Sequence, residues 1–168
     1  MKEIVIAGGC FWGVEEYYRR LRGIVSTKVG YAQGHVAFPT YEQVLTGTTN
    51  HVEACFLCYD DTEMTLEMIL DHFFRIVNPC SLNRQGGDFG TQYRTGIYYN
   101  DDEEKVIIET FIQKKQQEYK QNIVVENEKL HTFYDAEEYH QAYLQKHPRG
   151  YCHVDFSKMK ISEQKGED

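Results

Sequence analysis

The stretch Ala7-Gly8-Gly9-Cys10-Phe11-Trp12-Gly13-Val14-Glu15 sets a thiol behind two glycines and in front of two large aromatics. Residues 3–7 are mostly apolar and predict a short strand, whereas residues 14–21 predict a helix. Cys10 then lies where the strand turns into the helix N-terminus. The glycines permit a tight turn and close backbone approach. Helix N–H groups and the positive end of the macrodipole would face the sulfur. On that ground its pKa is expected to fall and its reactive thiolate to be stabilised. Phe11 and Trp12, the latter the single Trp of the chain, suggest an apolar pocket around a nucleophile. The same placement also suits a small buried core cysteine.

Other residues could act on or beside such a thiol. Glu53 is the one charged residue in the strand predicted over 52–59, where both faces are otherwise largely apolar. Desolvation there would raise its pKa and suit it to acid catalysis, although a solvated or ion-paired strand-end Glu fits as well. Cys55 and Cys58 spell C-x-x-C, but on a strand their sulfurs point to opposite faces, and nothing completes a zinc site. Residues 78–93 form a long aperiodic stretch with three glycines, Asp88 and Tyr93, which is uncommon in a compact domain unless functional. Cys80 lies within it, and Tyr151-Cys152 lies in an irregular stretch near the C-terminus.

The elements that must position these groups follow from patterning. A strand is expected over 24–31, with Val25, Thr27 and Val29 on one side. A short helical turn opened by Pro39 and Thr40 should follow. Leu66, Ile69, Leu70, Phe73, Phe74 and Val77 recur at helical spacing, capped by Thr62 or Thr65 and stopped before Pro79. A third core strand is expected over 94–99, and Asp101 and Asp102 should open a helix to about 119. Short strands are expected over 123–125 and 130–133. Asp135 and Glu138 resemble a capping box for a last helix over 136–146. Residues 154–168 are polar and aperiodic, with a frayed end expected.

A chain of 168 residues fits one domain with a sizeable core. A formal net charge of −8 argues against nucleic acid, whose phosphates need a basic surface. No apolar run approaches the ~20 residues of a membrane span, and the first residues lack a secretory pattern. The cytoplasm is the default expectation. Five cysteines (10, 55, 58, 80 and 152) fit reduced thiols better than a secreted disulfide framework.

The segment Gly9-Cys10-Phe11-Trp12-Gly13-Val14-Glu15 resembles the active-site motif of the A-type peptide methionine sulfoxide reductases (MsrA). The similarity continues through Gly30-Tyr31-Ala32 with Pro39 to Val44, through His51-Val52-Glu53, and through Asn83 to Arg94. It ends with Ala136 to Gln141, Tyr143-Leu144 and Tyr151-Cys152. The blocks stand in the family's order and cover residues 4–152.

The resemblance implies an α/β (α+β) two-layer sandwich with a mixed sheet, a ferredoxin-like βαββαβ core and long coil loops, in one catalytic domain over 1–168. It implies reduction of the S epimer of methionine sulfoxide, free or in proteins. By position, Cys10 would attack the sulfoxide sulfur, with Phe11 and Trp12 around the substrate methyl group. Glu53 would protonate the oxygen, Tyr41 and Tyr93 would hydrogen-bond it, and Asp88 would order the surrounding groups. Cys152, brought in by a mobile tail, would resolve the resulting sulfenic acid as a disulfide for thioredoxin to reduce, with no prosthetic cofactor and no metal. Two departures are visible: no further recycling cysteine follows Cys152, and Asn78-Pro79-Cys80-Ser81 stands where the family usually has Asp-Pro-Thr. Cys80 is therefore either a core residue or an alternative resolving thiol. The competing expectations are a Cys10 hydrolase or acyltransferase served by His51, His140 or His153, and a thiol redox sensor or metal module on Cys55 and Cys58.

Overall fold

The computed structural model describes residues 1–166. In chain order the elements are β1 (Lys2–Gly8), α1 (Phe11–Arg19), β2 (Ile24–Ala32), α2 (Tyr41–Leu45), β3 (Val52–Tyr59) and α3 (Leu66–Ile76). There follow the hairpin strands β4 (Arg84–Gln85) and β5 (Asp88–Phe89), then β6 (Thr95–Tyr99), α4 (Asp102–Gln116), β7 (Glu126–Lys129), β8 (Phe133–Asp135) and α5 (Tyr143–Lys146). The main sheet has the order β7-β6-β1-β3-β2-β8. All its pairings are antiparallel except β6 with β7. Its centre, β6-β1-β3-β2, carries α1 and α3 as crossovers, which is the expected βαββαβ core in a mixed sheet.

Period-two alternation separates the two faces. Ile4 and Ile6 of β1, Cys55, Leu57 and Tyr59 of β3 and Ile97 of β6 pack with Val14, Tyr17 and Tyr18 of α1, with Ile69, Leu70 and Phe73 of α3 and with Ile108 of α4. Val5, Ala7, Val52, Ala54 and Tyr98 form a smaller cluster from the alternate positions, backed by Phe56, Leu130 and Phe133. Glu53 therefore belongs to the helix-covered face, in line with Cys55. Cys55 is fully buried there while Cys58 is half-buried on the other side, as the strand geometry of the C-x-x-C required.

Helix ends follow their caps. Thr65 accepts from Met68 N–H at the start of α3, and Asp101 accepts from Glu104 N–H at the start of α4. Thr40 and Gln43 make a reciprocal capping box for α2.

Four expectations need correction. In β2, the register slips between Ile24 and Ser26, so Val25 faces solvent and does not share a side with the buried Val29. The strands expected at 123–125 and 130–133 fall instead at Glu126–Lys129 and Phe133–Asp135, because pairing with β6 and β2 sets their limits. The helix over 136–146 is broken into a 3-10 turn, Glu138–His140, and the short α5. Ala142 between them has φ +50°, and its N–H is taken by Glu15 Oε1 at 2.8 Å.

The tail is the fourth correction. Val154 and Met159 are buried in the core, and the Arg20 guanidinium lies 4.3 Å above the Phe156 ring. Arg75 grips both carboxylate oxygens of Glu163 at 2.8 and 2.9 Å, and Leu21 bridges Gln164. The aperiodic sequence concealed a segment held by single contacts instead of a repeating face. The last two residues of the expected frayed end lie outside the described residues.

The Arg75 guanidinium holds the Glu163 carboxyl at about 2, below the usual carboxylate range. A depressed acid stabilises the fold above its unfolded pKa and loses that contribution as pH falls towards its folded pKa. Glu163→Gln should thus cost roughly 1–2 kcal/mol in urea unfolding at pH 7, after discounting for partial exposure. The difference from the parent protein should shrink between about pH 4.5 and 2.

Candidate active site

Cys10 is the N-cap residue of α1 and is 8% exposed. Gly9 ahead of it has φ +86°, and a Cβ there would stand 2.7 Å from Gln85 Cβ, so glycine is required by both conformation and space. Trp12 N–H favours the thiolate, as expected of a helix start. It is outweighed: burial pushes the thiol up, and the charges of Glu53, Asp88 and Cys152 push it further. The sequence-based expectation of a lowered pKa is therefore corrected for the resting protein, since desolvation exceeds the dipole.

Glu53 is 1% exposed. Its Oε1 accepts from Phe11 N–H at 3.2 Å, so the strand carboxyl sits under the first turn of α1. Burial, opposed by that N–H and reinforced by Asp88, raises it to about 8. Oε2 has no partner among the described residues. With Oε1 occupied as an acceptor, the proton of the neutral acid resides on Oε2.

Two phenols complete this corner. Tyr41 opens α2, where Glu137 Oε2 accepts from its backbone N–H at 3.0 Å and Glu137 Oε1 from Tyr31 OH at 2.8 Å. Tyr93 lies in the 3-10 turn Thr91–Tyr93. Arg94 ties that turn down through Thr91 O, Asn50 O and Glu126. Burial raises both phenols, Tyr41 to about 12, and each senses the charges of Glu53 and Cys10. They remain protonated donors at neutral pH.

Phe11 is buried with Tyr31, Val29, Val44 and Ala136. Trp12 stacks on Tyr143 with ring centroids 3.8 Å apart and donates from Nε1 to His140 Nδ1 at 3.0 Å. His140 also touches the rings of Phe11 and Tyr41, at 5.2 and 4.5 Å. The two aromatics thus build an apolar wall beside the thiol, with His140 holding its orientation.

Residues 151–153 cross the same turn. Tyr151 OH donates to Asp88 Oδ2 at 3.0 Å, and His153 Nε2 bonds Gly8 O at 2.8 Å. Cys152 Sγ lies over α1, where a Cβ on Gly13 would stand 2.7 Å from it. Cys152 is half-buried and receives Val154 N–H at 3.3 Å. The mobile tail expected to carry it is a docked strap. Cys80, by contrast, is half-buried and donates to Gln121 O at 3.4 Å, so it is not a core residue.

The hydrolase expectation needs a histidine hydrogen-bonded to the thiol. Among the described residues the candidates bond other groups: His51 takes Gly34 N–H and Val36 O, His140 accepts from Trp12 and His153 donates to Gly8.

The family model described as "Peptide methionine sulfoxide reductase" matches residues 2–167. The chain belongs to the peptide methionine sulfoxide reductase family. It is 55% identical over 157 residues to the MsrA of Alkaliphilus metalliredigens, covering 92% of this chain and 98% of that protein. The crystal structure of Mxr1 from Saccharomyces cerevisiae in reduced form superposes with a TM-score of 0.87 at 39% identity, over 90% of this chain and 88% of that one. The structure of Mxr1 in complex with Trx2 gives 0.63 at 28% identity, over 91% and 86%.

In this peptide methionine sulfoxide reductase the structure brings Cys10, Glu53, Phe11, Trp12, Tyr41, Tyr93, Asp88 and Cys152 around one turn. Residues with structural weight there that sequence reasoning passed over are Glu137, Tyr31, Tyr143, Arg94 and Gln85. Gln85 clamps Asn78 through both amide atoms. Their signal in the sequence was membership of the blocks that resemble the family, which by themselves assign them no role.

Gly13→Ala tests the docked strap, because its methyl group would collide with Cys152 Sγ and with Val154 Cγ2 at 2.9 Å. Cys152 should react severalfold faster with a thiol reagent while circular dichroism stays unchanged. An unaltered rate would mean that the strap does not rest on Gly13.

Proposed function

We propose that the chain acts as one catalytic domain that reduces the S epimer of methionine sulfoxide by two-thiol chemistry, with Cys10 as nucleophile and Glu53 as acid. The observation that carries this is the buried, unpartnered Oε2 of Glu53 beneath the nucleophile's helix. A sulfoxide oxygen leaves poorly until protonated, and a carboxyl kept neutral near pH 7 by its surroundings supplies that proton. Tyr41 and Tyr93 donate to the same oxygen, and Phe11 and Trp12 receive the methyl group. Asp88 orders this corner through its field on Glu53 and its bond to Tyr151.

The protonation of Cys10 and Glu53 is coupled. While Glu53 holds its proton, its negative charge is absent and one cause of the raised thiol pKa is removed. A bound sulfoxide then takes the Glu53 proton on oxygen as the Cys10 sulfur attacks, and the thiol's own proton replaces the one lent. Across the step the substrate sulfur gains two electrons and the Cys10 sulfur loses two. The oxygen ends on Cys10 as a sulfenic acid and methionine departs. Cys152 condenses with it: the S–S bond forms, the S–O bond breaks, and water leaves. An external dithiol of the thioredoxin class, as in the Mxr1 complex with Trx2, then reduces the bridge by exchange.

Because thiols supply both electrons, no prosthetic group is needed. A cytoplasmic setting, where such dithiols keep cysteines reduced, suits the five free thiols. No helix among the described residues is long and apolar enough to cross a membrane.

Glu53→Gln should lower sulfoxide reduction by roughly 10²-fold or more while raising stability at pH 7. The sign follows from linkage: an acid whose folded pKa is raised costs stability progressively from about pH 4.5 up to about 8, and the amide removes that cost. In the parent enzyme the rate of methionine release should decline as pH rises through about 8. A Gln variant with full activity would remove Glu53 from the acid's role.

A further inference from the structure

His153 has no part in the chemistry above, yet it is partly buried against the nucleophile's turn. The Gly8 carbonyl can only accept, so Nε2 carries the hydrogen and donates to it at 2.8 Å. The neutral ring then leaves Nδ1 as a lone pair, which is buried without a partner among the described residues. The ring also lies against Gly9, where a Cβ would stand 3.0 Å from Nε2, and its own Cβ lies against Gly86. A side chain that leaves a polar atom unsatisfied costs stability. Its contacts with Gly8, Gly9 and Gly86 lie on the wall that holds Cys10.

The contact points straddle the nucleophile. His153 is fixed two residues before Cys10, at Gly8, and its neighbour Cys152 rests three residues after it, on Gly13. The strap reaches this place from α5 through residues 147–150, beyond the Leu144 anchor in the core, and leaves through the buried Val154. We propose that His153 is a positioning residue for the resolving step. Its hydrogen bond to Gly8 holds the Cys152 thiol over the first turn of α1, within reach of a sulfenic acid on Cys10. The proposal rests on Cys152 being the resolving thiol. Holding two reactants in place raises the effective concentration of one at the other, so the latch speeds S–S bond formation and loss of water without touching the sulfoxide.

The test separates the two half-reactions. Reduced protein is mixed with S-methionine sulfoxide and no external reductant, and three signals are followed: methionine released, sulfenic acid trapped by a cyclic diketone, and the Cys10–Cys152 bridge by mass spectrometry. In His153→Ala, methionine release should keep the parent rate, bridge formation should slow by about tenfold or more, and trapped sulfenic acid should rise. His153→Gln, whose amide N–H can reach Gly8 O, should bring bridge formation back to within about threefold of the parent. Bridge formation at the parent rate in His153→Ala, an equal slowing of both half-reactions, or no recovery with Gln would each overturn the latch. A parent protein that releases methionine yet forms no Cys10–Cys152 bridge would instead overturn the resolving role of Cys152, and is distinguished by that result.

Discussion

The rest of the site depends on one carboxyl group placed under a helix start. Glu53 sits on a strand whose neighbouring side chains are apolar, beneath α1, and among the described residues its carboxyl receives one hydrogen bond, from Phe11 N–H. That bond is too little to replace lost hydration, so the group stays protonated to about 8. The same burial constrains Cys10, because a thiolate next to a carboxylate would place two like charges in one dry pocket. The Glu53 charge, once formed, raises the thiol further, and the Trp12 N–H at the helix start offsets this only in part.

Around that pair, the polar residues act mainly as fasteners. Glu137 joins Tyr31 to the start of α2 and so fixes Tyr41, while Arg94 spans three segments and fixes the turn that bears Tyr93. Glu15, through Ala142 N–H, fixes the segment carrying His140 and Tyr143, which in turn hold Trp12. Most of these contacts are charge-assisted and span a long sequence separation, the kind that resists distortion. The sheet provides rigidity and these contacts provide aim. The strap 151–154 adds a wall that is present before any oxidation occurs.

Periodic elements were legible in the sequence, and contacts were not. Val52–Tyr59 and the helix from Leu66 could be placed within a residue because alternation and capping encode them locally. The motif around Cys10, with Glu53, Tyr41, Tyr93 and Cys152, was recognisable from spacing and resemblance, and the fold brings all of them together. The Cys10 shift has the opposite sign to the sequence-based expectation because sequence shows the helix dipole but not the degree of burial. The broken helix at 136–146 depended on Glu15, more than a hundred residues away, and the anchored tail depended on Arg75 and Arg20. Such tertiary partners override local propensity and leave no periodic trace.

The central claim is that Glu53 is a neutral acid in the resting reductase at physiological pH. Carbon-13 NMR of protein labelled at Glu carboxyls, with Glu53→Gln used to assign the resonance, measures this directly. The account predicts a Glu53 titration midpoint near 8 in the reduced protein. A midpoint near the ordinary glutamate value of about 4.3 would contradict it, since the carboxylate would then be charged at neutral pH and could not lend the proton that the sulfoxide oxygen needs.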